Sequence, residues 1–237
     1  ILRECFDGTL QSCCIGWQAD PGEGSVMQRV WKTITGFYHV RARGTGKQLI
    51  FENDADRWEF LELMRECCRD TRVTIVAWCL MGGHVDLVLL DYEDEMSAAM
   101  QRLLLTYARF NKRTGRAGCL FRERFERRSL DTDWQVMEAI RSVHAGPQEA
   151  GIALIERYPW SSFAEYLRAY DNDMTRGFSY PSCVLELFGS AEGFIAHSLS
   201  TPNDSEPAPC DMKEAEWERH AFADKLAKGL GVPLHGV

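Results

Sequence analysis

The pattern of apolar and polar positions predicts an ordered series of strands and helices from residue 36 onwards. Strands are indicated where apolar and polar residues alternate or β-branched residues cluster, and helices where apolar residues recur every three or four positions. The predicted strands span residues 36–43, 73–80, 84–90 and 120–130, and the predicted helices span 53–69, 97–111 and 133–144. The order β-α-β-β-α-β predicts an α+β fold of the ferredoxin-like (split βαβ) type, an antiparallel sheet with helices on one face.

The flanking regions predict a division of the chain into three parts. Residues 1–26 have no useful periodicity and are interpreted as an N-terminal appendage, whereas residues 27–170 form the folded domain. Residues 171–237 are expected to be a helical C-terminal extension with a Pro/Ser/Asp-rich linker at 200–211. Within these parts, Ser161 is expected to cap a helix that follows the third predicted one, a helical stretch covers 184–199, and a last helix spans Lys213–Lys228.

The distribution of charge indicates a local basic surface on an acidic protein. The formal net charge is −8, yet residues 27–51 hold five basic residues and no acid, and residues 101–128 hold nine basic residues against two Glu. A nucleic-acid backbone responds to the local field, so this asymmetry is compatible with binding to it. A solvated helix face with its loop would give the same asymmetry.

The cysteines and the hydropathy pattern bear on the cellular compartment. Nine cysteines are present and none forms a Cys-x-x-Cys pair, which argues against zinc knuckles. An odd number of cysteines without a secretory signal predicts reduced thiols and a cytoplasmic location. No run of about 18 apolar residues is present, so no transmembrane helix is expected.

His84 and Asp86 form the sharpest local feature of the sequence. Residues i and i+2 of a strand point to the same face, so an imidazole and a carboxylate could reach one Mg²⁺ or Mn²⁺ ion. A surface histidine beside an aspartate is the simpler interpretation of such a pair taken alone. His39 alternates with Phe37 and Arg41 on another strand, where it could join a metal or phosphate site.

Two hydroxyl-bearing residues are candidate nucleophiles by type. Tyr107 belongs to an apolar helical stripe, which favours a buried structural tyrosine. Ser142 lies on the polar side of its helix, but only Glu138 stands one turn away as a candidate base. His144, by contrast, falls on an inward stripe and is interpreted as a packed histidine.

Several blocks of the sequence together resemble the REP-associated tyrosine transposases, within the single-tyrosine HUH transposases of insertion sequences. The blocks are GFYHVRARGTGKQLIFENDADRWEFLELM, AWCLMGGHVDLVLL, TYARFNKRTGRAGCLFRERFERRSLDTD and YPWSSFAEY. They occur in the family's order and cover residues 27–170, with a weaker likeness at 180–199.

The resemblance implies a ferredoxin-like sheet that cleaves and transfers single-stranded or hairpin DNA without a nucleotide cofactor. Two histidines of the HUH motif and a polar helix residue would bind a divalent ion, Mg²⁺ or Mn²⁺. That ion polarises the phosphate that a helix tyrosine attacks.

This sequence departs from that pattern at three positions. Asp86 replaces the second HUH histidine, Ser142 occupies the position of the nucleophilic tyrosine, and Gly146 occupies that of the polar helper residue. A seryl hydroxyl is a poorer nucleophile and leaving group than a phenol, whose pKa is about 10. We therefore predict that DNA binding is kept and that cleavage is impaired.

The basic residues expected to contact DNA come from the first strand, the second helix and the segment after it. They are Arg41, Arg43, Lys47, Arg109, Lys112, Arg113, Arg116, Arg122, Arg124, Arg127 and Arg128. Alternatives are an active transposase with Tyr107 as a relocated nucleophile, a domesticated non-catalytic DNA-binding module, a decayed gene product and an RNA-binding ferredoxin-like domain. The sequence leaves monomer and homodimer open.

Overall fold

The computed structural model describes residues 35–46, 48–115, 118–122, 124–171 and 177–200. The predicted appendage at 1–26 and the predicted last helix Lys213–Lys228 lie outside these residues, as does the linker beyond Ser200. Within the described part of the chain, no helix combines the length and the apolar character needed to cross a membrane.

The centre of the fold is a four-stranded antiparallel sheet in the order β2-β3-β1-β4. Its strands are β1 Phe37–Arg43, β2 Thr74–Met81, β3 His84–Leu90 and β4 Glu126–Leu130. β2 and β3 form a hairpin around Gly82-Gly83, and β1 lies between β3 and β4. This order and the intervening helices confirm the predicted ferredoxin-like α+β fold.

Six α-helices surround the sheet in the part of the chain that the structure describes. They are α1 Asp54–Asp70, α2 Met96–Arg113, α3 Asp133–Glu149, α4 Phe163–Tyr170, α5 Leu185–Phe188 and α6 Ala191–Leu199. α1 begins as the sequence predicts, because the Asn53 side chain accepts a hydrogen bond from the Asp56 backbone N–H while the Asp56 carboxylate accepts one from the Asn53 N–H. This reciprocal capping satisfies two donors that the first helical turn would otherwise leave unpaired.

The sheet is covered on both faces, and each face has its own apolar core. α1 and α2 pack on the face that carries Val40, Leu87 and Leu89. On the opposite face, α3 and the later helices pack against Phe37 and Val88. The expectation of helices on one face therefore holds for α1 and α2, while α3 and the C-terminal extension close the other face.

The segment that leads into α4 closes the free edge of β2. Leu80 donates its backbone N–H to the Trp160 carbonyl, and Ser162 donates to the Trp78 carbonyl, each at 2.9 Å. The Ser162 hydroxyl accepts from the Trp78 N–H at 2.9 Å and lies 2.8 Å from Nε2 of His144. His144 is fully buried, which confirms the interpretation of a packed histidine, and its bond to Ser162 ties α3 to this edge.

Three predicted boundaries were wrong. β4 begins at Glu126, because the chain before it makes only an isolated bridge between Phe121 and Gly44. α3 continues beyond its predicted end to Glu149, with Pro147 in its last turn. Ser161 does not cap α4: Ser162 precedes the helix, and its hydroxyl is used by β2 instead.

Candidate functional site

Four polar side chains meet on the α3 face of the two central strands. His39 and Arg41 lie on β1, His84 and Asp86 lie on β3, and Arg41 is the direct cross-strand partner of Asp86. Their neighbours Val40 and Leu87 point to the opposite face, into the core under α1 and α2. Alternation along the strands thus brings His84 and Asp86 to one face, and it adds two residues from β1.

Asp86 is the centre of this cluster. Its side chain is only 2% exposed, and both of its oxygens accept hydrogen bonds from one guanidinium. Arg41 Nε lies 2.5 Å from Oδ1, and Arg41 Nη2 lies 2.9 Å from Oδ2. Nε2 of His84 is 3.4 Å from Oδ2, and Nε2 of His39 is 3.7 Å from Oδ1. The carboxylate is therefore held in a two-pronged ion pair with a histidine on either side.

The pKa of Asp86 reflects this environment. Burial by itself would raise that pKa, but the contacts with His39, His84 and Arg41 outweigh burial and hold it well below its ordinary value. The bond to Asp86 in turn raises the pKa of Arg41, against the opposing effect of its partial burial. Both partners are consequently charged, as a bidentate ion pair requires.

The donor set does not fit a divalent ion in this arrangement. An ion would compete with Arg41 for the oxygens of Asp86, each of which already accepts one bond from the guanidinium, and it would stand beside a fixed positive charge. Among the residues that the structure describes, no three His, Cys, Asp or Glu side chains are grouped to hold a metal ion. His84 and Asp86 thus share a face as predicted, but their geometry is that of an ion-pair cluster.

Ser142, the residue at the predicted nucleophile position, is half-buried on α3. Its side chain makes no hydrogen bond with any residue that the structure describes. The candidate base Glu138 is engaged elsewhere: it accepts a hydrogen bond from Arg141 at 3.0 Å and lies 3.3 Å from His197. Gly146, one turn after Ser142, provides no side chain at the position of the polar helper residue. A Cβ added there would meet no atom within 4 Å, so the space beside it is empty.

Tyr107 is not compatible with the alternative role of a relocated nucleophile. It is 0% exposed, and its hydroxyl donates to the Ile50 carbonyl at 3.1 Å. Its ring packs against Phe51 and Phe60 in the core under α1 and α2, on the face opposite Asp86. This prediction is corrected, because the apolar stripe that carries Tyr107 buries it completely.

One other tyrosine, Tyr158, lies at the His84 end of the sheet. Its hydroxyl donates to the Leu80 carbonyl at 2.8 Å, and Leu80 pairs with Val85 beside His84. Burial raises the pKa of Tyr158 to about 12, so its hydroxyl stays protonated at neutral pH. No local pattern in the sequence singles out Tyr158, because only the pairing of the segment before α4 with β2 brings it here.

The predicted DNA-binding residues fall into two groups. The first group lies at the open end of the sheet around β1 and β4. There Arg43 pairs with Glu126 at 3.1 Å, Arg122 donates its backbone N–H to the Arg43 carbonyl, and Arg128 is the cross-strand partner of His39. We call Arg41, Arg43, Arg122 and Arg128 the basic end of the sheet. Apart from Arg41, whose side chain is 30% exposed, these arginines are exposed.

The second group lies mostly on the other face of the sheet. Exposed residues of the second half of α2 make up most of it, and α2 packs on the opposite face of the sheet. These are Arg109, Lys112 and Arg113. Arg127 also points to that side and reaches the Ser97 hydroxyl at 3.3 Å, while Arg124 is exposed in the segment before β4. Lys47 and Arg116 lie outside the described residues.

The chain matches no family model and no curated protein. Among solved structures it is similar to a REP-associated tyrosine transposase bound to a REP hairpin, with 13% sequence identity and a TM-score of 0.48. The alignment covers 62% of this chain and 85% of that chain.

Proposed function

We propose that this chain is a transposase-like DNA-binding protein in which strand cleavage is weak or absent. Its ligand is single-stranded or hairpin DNA, as the resemblance to the REP-associated tyrosine transposases implies. The observation that carries the proposal is the basic end of the sheet, where arginines surround the Asp86 cluster while the hydroxyls of Tyr107 and Tyr158 both donate to backbone carbonyls. Exposed arginines suit phosphate contacts, whereas cleavage needs an activated nucleophile.

Cleavage is disfavoured by several independent features of the site. Ser142 has no bonded base, Tyr107 is buried on the other face, and the hydroxyl of Tyr158 donates to a backbone carbonyl. Asp86 is occupied by Arg41 and is not free to bind a metal. An active transposase would have to rearrange at least two of these features in the presence of DNA.

A binding titration tests the first half of the proposal. We expect the full chain to bind a fluorescent single-stranded or hairpin oligonucleotide with an affinity that falls steeply as salt rises. The double variant Arg43→Ala/Arg128→Ala should lower the affinity severalfold and reduce the slope of log affinity against log salt by about 0.7 per lost contact. Arg69→Ala removes an exposed arginine from α1 and is the matched control, which should bind like the wild type. Equal losses in the two variants would contradict a specific role for the basic end.

A cleavage assay tests the second half. The wild-type protein is incubated with hairpin-flanked single strands and Mg²⁺ or Mn²⁺, and covalent protein–DNA adducts are resolved on denaturing gels. We expect no adduct above the level of Ser142→Ala. A robust adduct would overturn the proposal of impaired cleavage, and mapping it would identify the nucleophile, with Tyr158→Phe as the first variant to compare.

A further inference from the structure

We propose that Arg41 takes the place of a divalent cation at the His84–Asp86 pair, so that the basic end of the sheet binds a DNA phosphodiester without metal. The metal part of this inference rests on the geometry of the cluster alone. The phosphodiester part rests on the proposed function of DNA binding.

The first step concerns the lone pairs of Asp86. The carboxylate is buried between two strands, and the Arg41 fork accounts for both of its oxygens at 2.5 and 2.9 Å. A planar guanidinium matches a carboxylate in this way, and such bidentate bonds are among the stronger ones in proteins. A metal ion that bound Asp86 would compete with these two bonds and would be repelled by the adjacent charge of Arg41.

The second step concerns the charges around the cluster. The charges of Arg41 and Asp86 compensate each other, and Arg128 and Arg43 add positive charge on the same face. The acidic groups near Arg41 are Glu126, which pairs with Arg43, and Glu149 at the end of α3. The cluster therefore lacks the excess of carboxylate that holds Mg²⁺ or Mn²⁺ in most protein sites, and its exposed donors favour an anion.

The third step concerns the donors that Arg41 has left. A guanidinium carries five N–H groups, and Asp86 accepts from two of its nitrogens. The remaining N–H groups belong to a side chain that is 30% exposed, and His84 beside it is 28% exposed. Because Asp86 fixes the orientation of the guanidinium, these donors are preorganised for the oxygens of a phosphodiester, as a bound cation would be.

Removing Arg41 should create the metal site that it now excludes. Without the guanidinium, His39, His84 and Asp86 would be able to turn toward one ion, and two imidazoles with one carboxylate are a ligand combination that binds divalent transition metals. We expect Arg41→Ala to bind Mn²⁺ at least tenfold more tightly than the wild type. Arg41→Gln serves as a second variant that retains more of the packing of the arginine stem.

The experiment is an Mn²⁺ titration of the full chain followed by electron paramagnetic resonance, with circular dichroism to verify folding. Wild type and Asp86→Asn should bind Mn²⁺ equally weakly, and Arg41→Ala or Arg41→Gln should gain a site that is lost again when Asp86→Asn is added. One equivalent of Mn²⁺ bound by the wild type and lost in Asp86→Asn would overturn the inference. Failure of both folded Arg41 variants to gain binding would overturn it as well.

A second arm uses a single-stranded oligonucleotide in EDTA and in Mg²⁺ at matched ionic strength. Wild-type affinity should agree within twofold between the two buffers, and Arg41→Gln should bind at least fivefold more weakly than the control Arg69→Ala. Loss of binding in EDTA would overturn the metal-free contact. If the wild type binds no DNA in either buffer, the proposed function fails, while the Mn²⁺ titration still decides whether Arg41 replaces a cation.

Discussion

The two faces of the sheet are built from the same strands but have different roles. Under α1 and α2, the inward positions of β1 and β3 are apolar along their whole length, from Tyr38 to Ala42 and from Val85 to Leu89. Under α3, the same two strands are apolar only at one end, and at the other end they carry the paired cluster around Asp86. The face under α1 and α2 therefore contributes mainly to the stability of the fold. On the face under α3, charged side chains around Asp86 replace part of the apolar area.

The largest effect is expected from truncating the all-apolar face. Phe60 is 0% exposed and makes edge contacts with Phe51 and Tyr107 at centroid distances of 5.4 and 5.0 Å. Phe60→Ala should lower the free energy of unfolding by about 3–5 kcal/mol, because it removes buried area and leaves a cavity. Urea denaturation measures the loss, with Arg69→Ala as a surface control expected within about 0.5 kcal/mol of wild type. A loss below about 1 kcal/mol would show that this face can collapse around the gap.

The second-largest loss of stability is expected from breaking the Arg41–Asp86 ion pair on the α3 face. Asp86→Ala leaves the Arg41 guanidinium without its acceptor, and breaking a buried pair costs about 3–5 kcal/mol. Because the Arg41 side chain is 30% exposed and regains water, we expect a smaller loss of about 2 kcal/mol. Glu126→Ala removes the acceptor of an exposed pair and should change stability by less than about 0.5 kcal/mol. Equal losses in the two variants, measured by urea denaturation, would mean that the cluster contributes nothing beyond a surface salt bridge.

A third effect depends on pH and concerns His144, which ties α3 to the edge of β2. Burial lowers the pKa of His144 to about 3. Below pH 6.5 the unfolded chain therefore takes up a proton at this residue that the folded protein does not, so stability falls as pH drops. Between pH 6.5 and 5 this amounts to about 2 kcal/mol.

The matched variant is His144→Gln, which can still bond to Ser162 but does not titrate. Its free energy of unfolding should decline less between pH 7 and 5 than that of the wild type, by about 2 kcal/mol. The other histidines are present in both proteins and cancel from the difference. Parallel pH profiles from urea denaturation would show that His144 is protonated equally in the folded and unfolded states.

The smallest loss of stability is expected from a change at Tyr107, which tests whether this residue has a structural or a catalytic role. Tyr107→Phe removes the hydroxyl that donates to the Ile50 carbonyl and should cost about 1 kcal/mol of stability. DNA affinity, measured by fluorescence anisotropy, should not change, because Tyr107 lies on the face opposite the basic end. A specific loss of DNA binding or of an adduct in this variant would contradict a purely structural role.

Local patterns in the sequence predict most of the fold. The alternation in β3 places His84 and Asp86 on one face, and the helical spacing over residues 53–69 predicts α1, with its reciprocal cap at Asn53 and Asp56. Both features depend on residues close together in the chain, where side-chain geometry follows from the backbone period. The stripe that carries Tyr107 likewise indicates its burial.

Long-range pairing accounts for what the sequence does not predict. The partner of Asp86 is set by the register between β1 and β3, which joins residues 45 positions apart. Likewise, the Ser162 hydroxyl accepts a hydrogen bond from the Trp78 N–H of β2 and does not cap α4. No local pattern contains either contact, so the role of Arg41 and the place of Tyr158 emerge only from the assembled sheet.

The closure of the β2 edge has a consequence for biosynthesis. The backbone groups of Trp78 and Leu80 find their partners only in a segment that follows Trp78 by 84 positions. A nascent chain that has already formed its hairpin thus exposes an unpaired strand edge on the ribosome until Ser162 has left the exit tunnel. Such edges template intermolecular pairing, so translational stalling or premature termination before this segment should yield aggregated fragments.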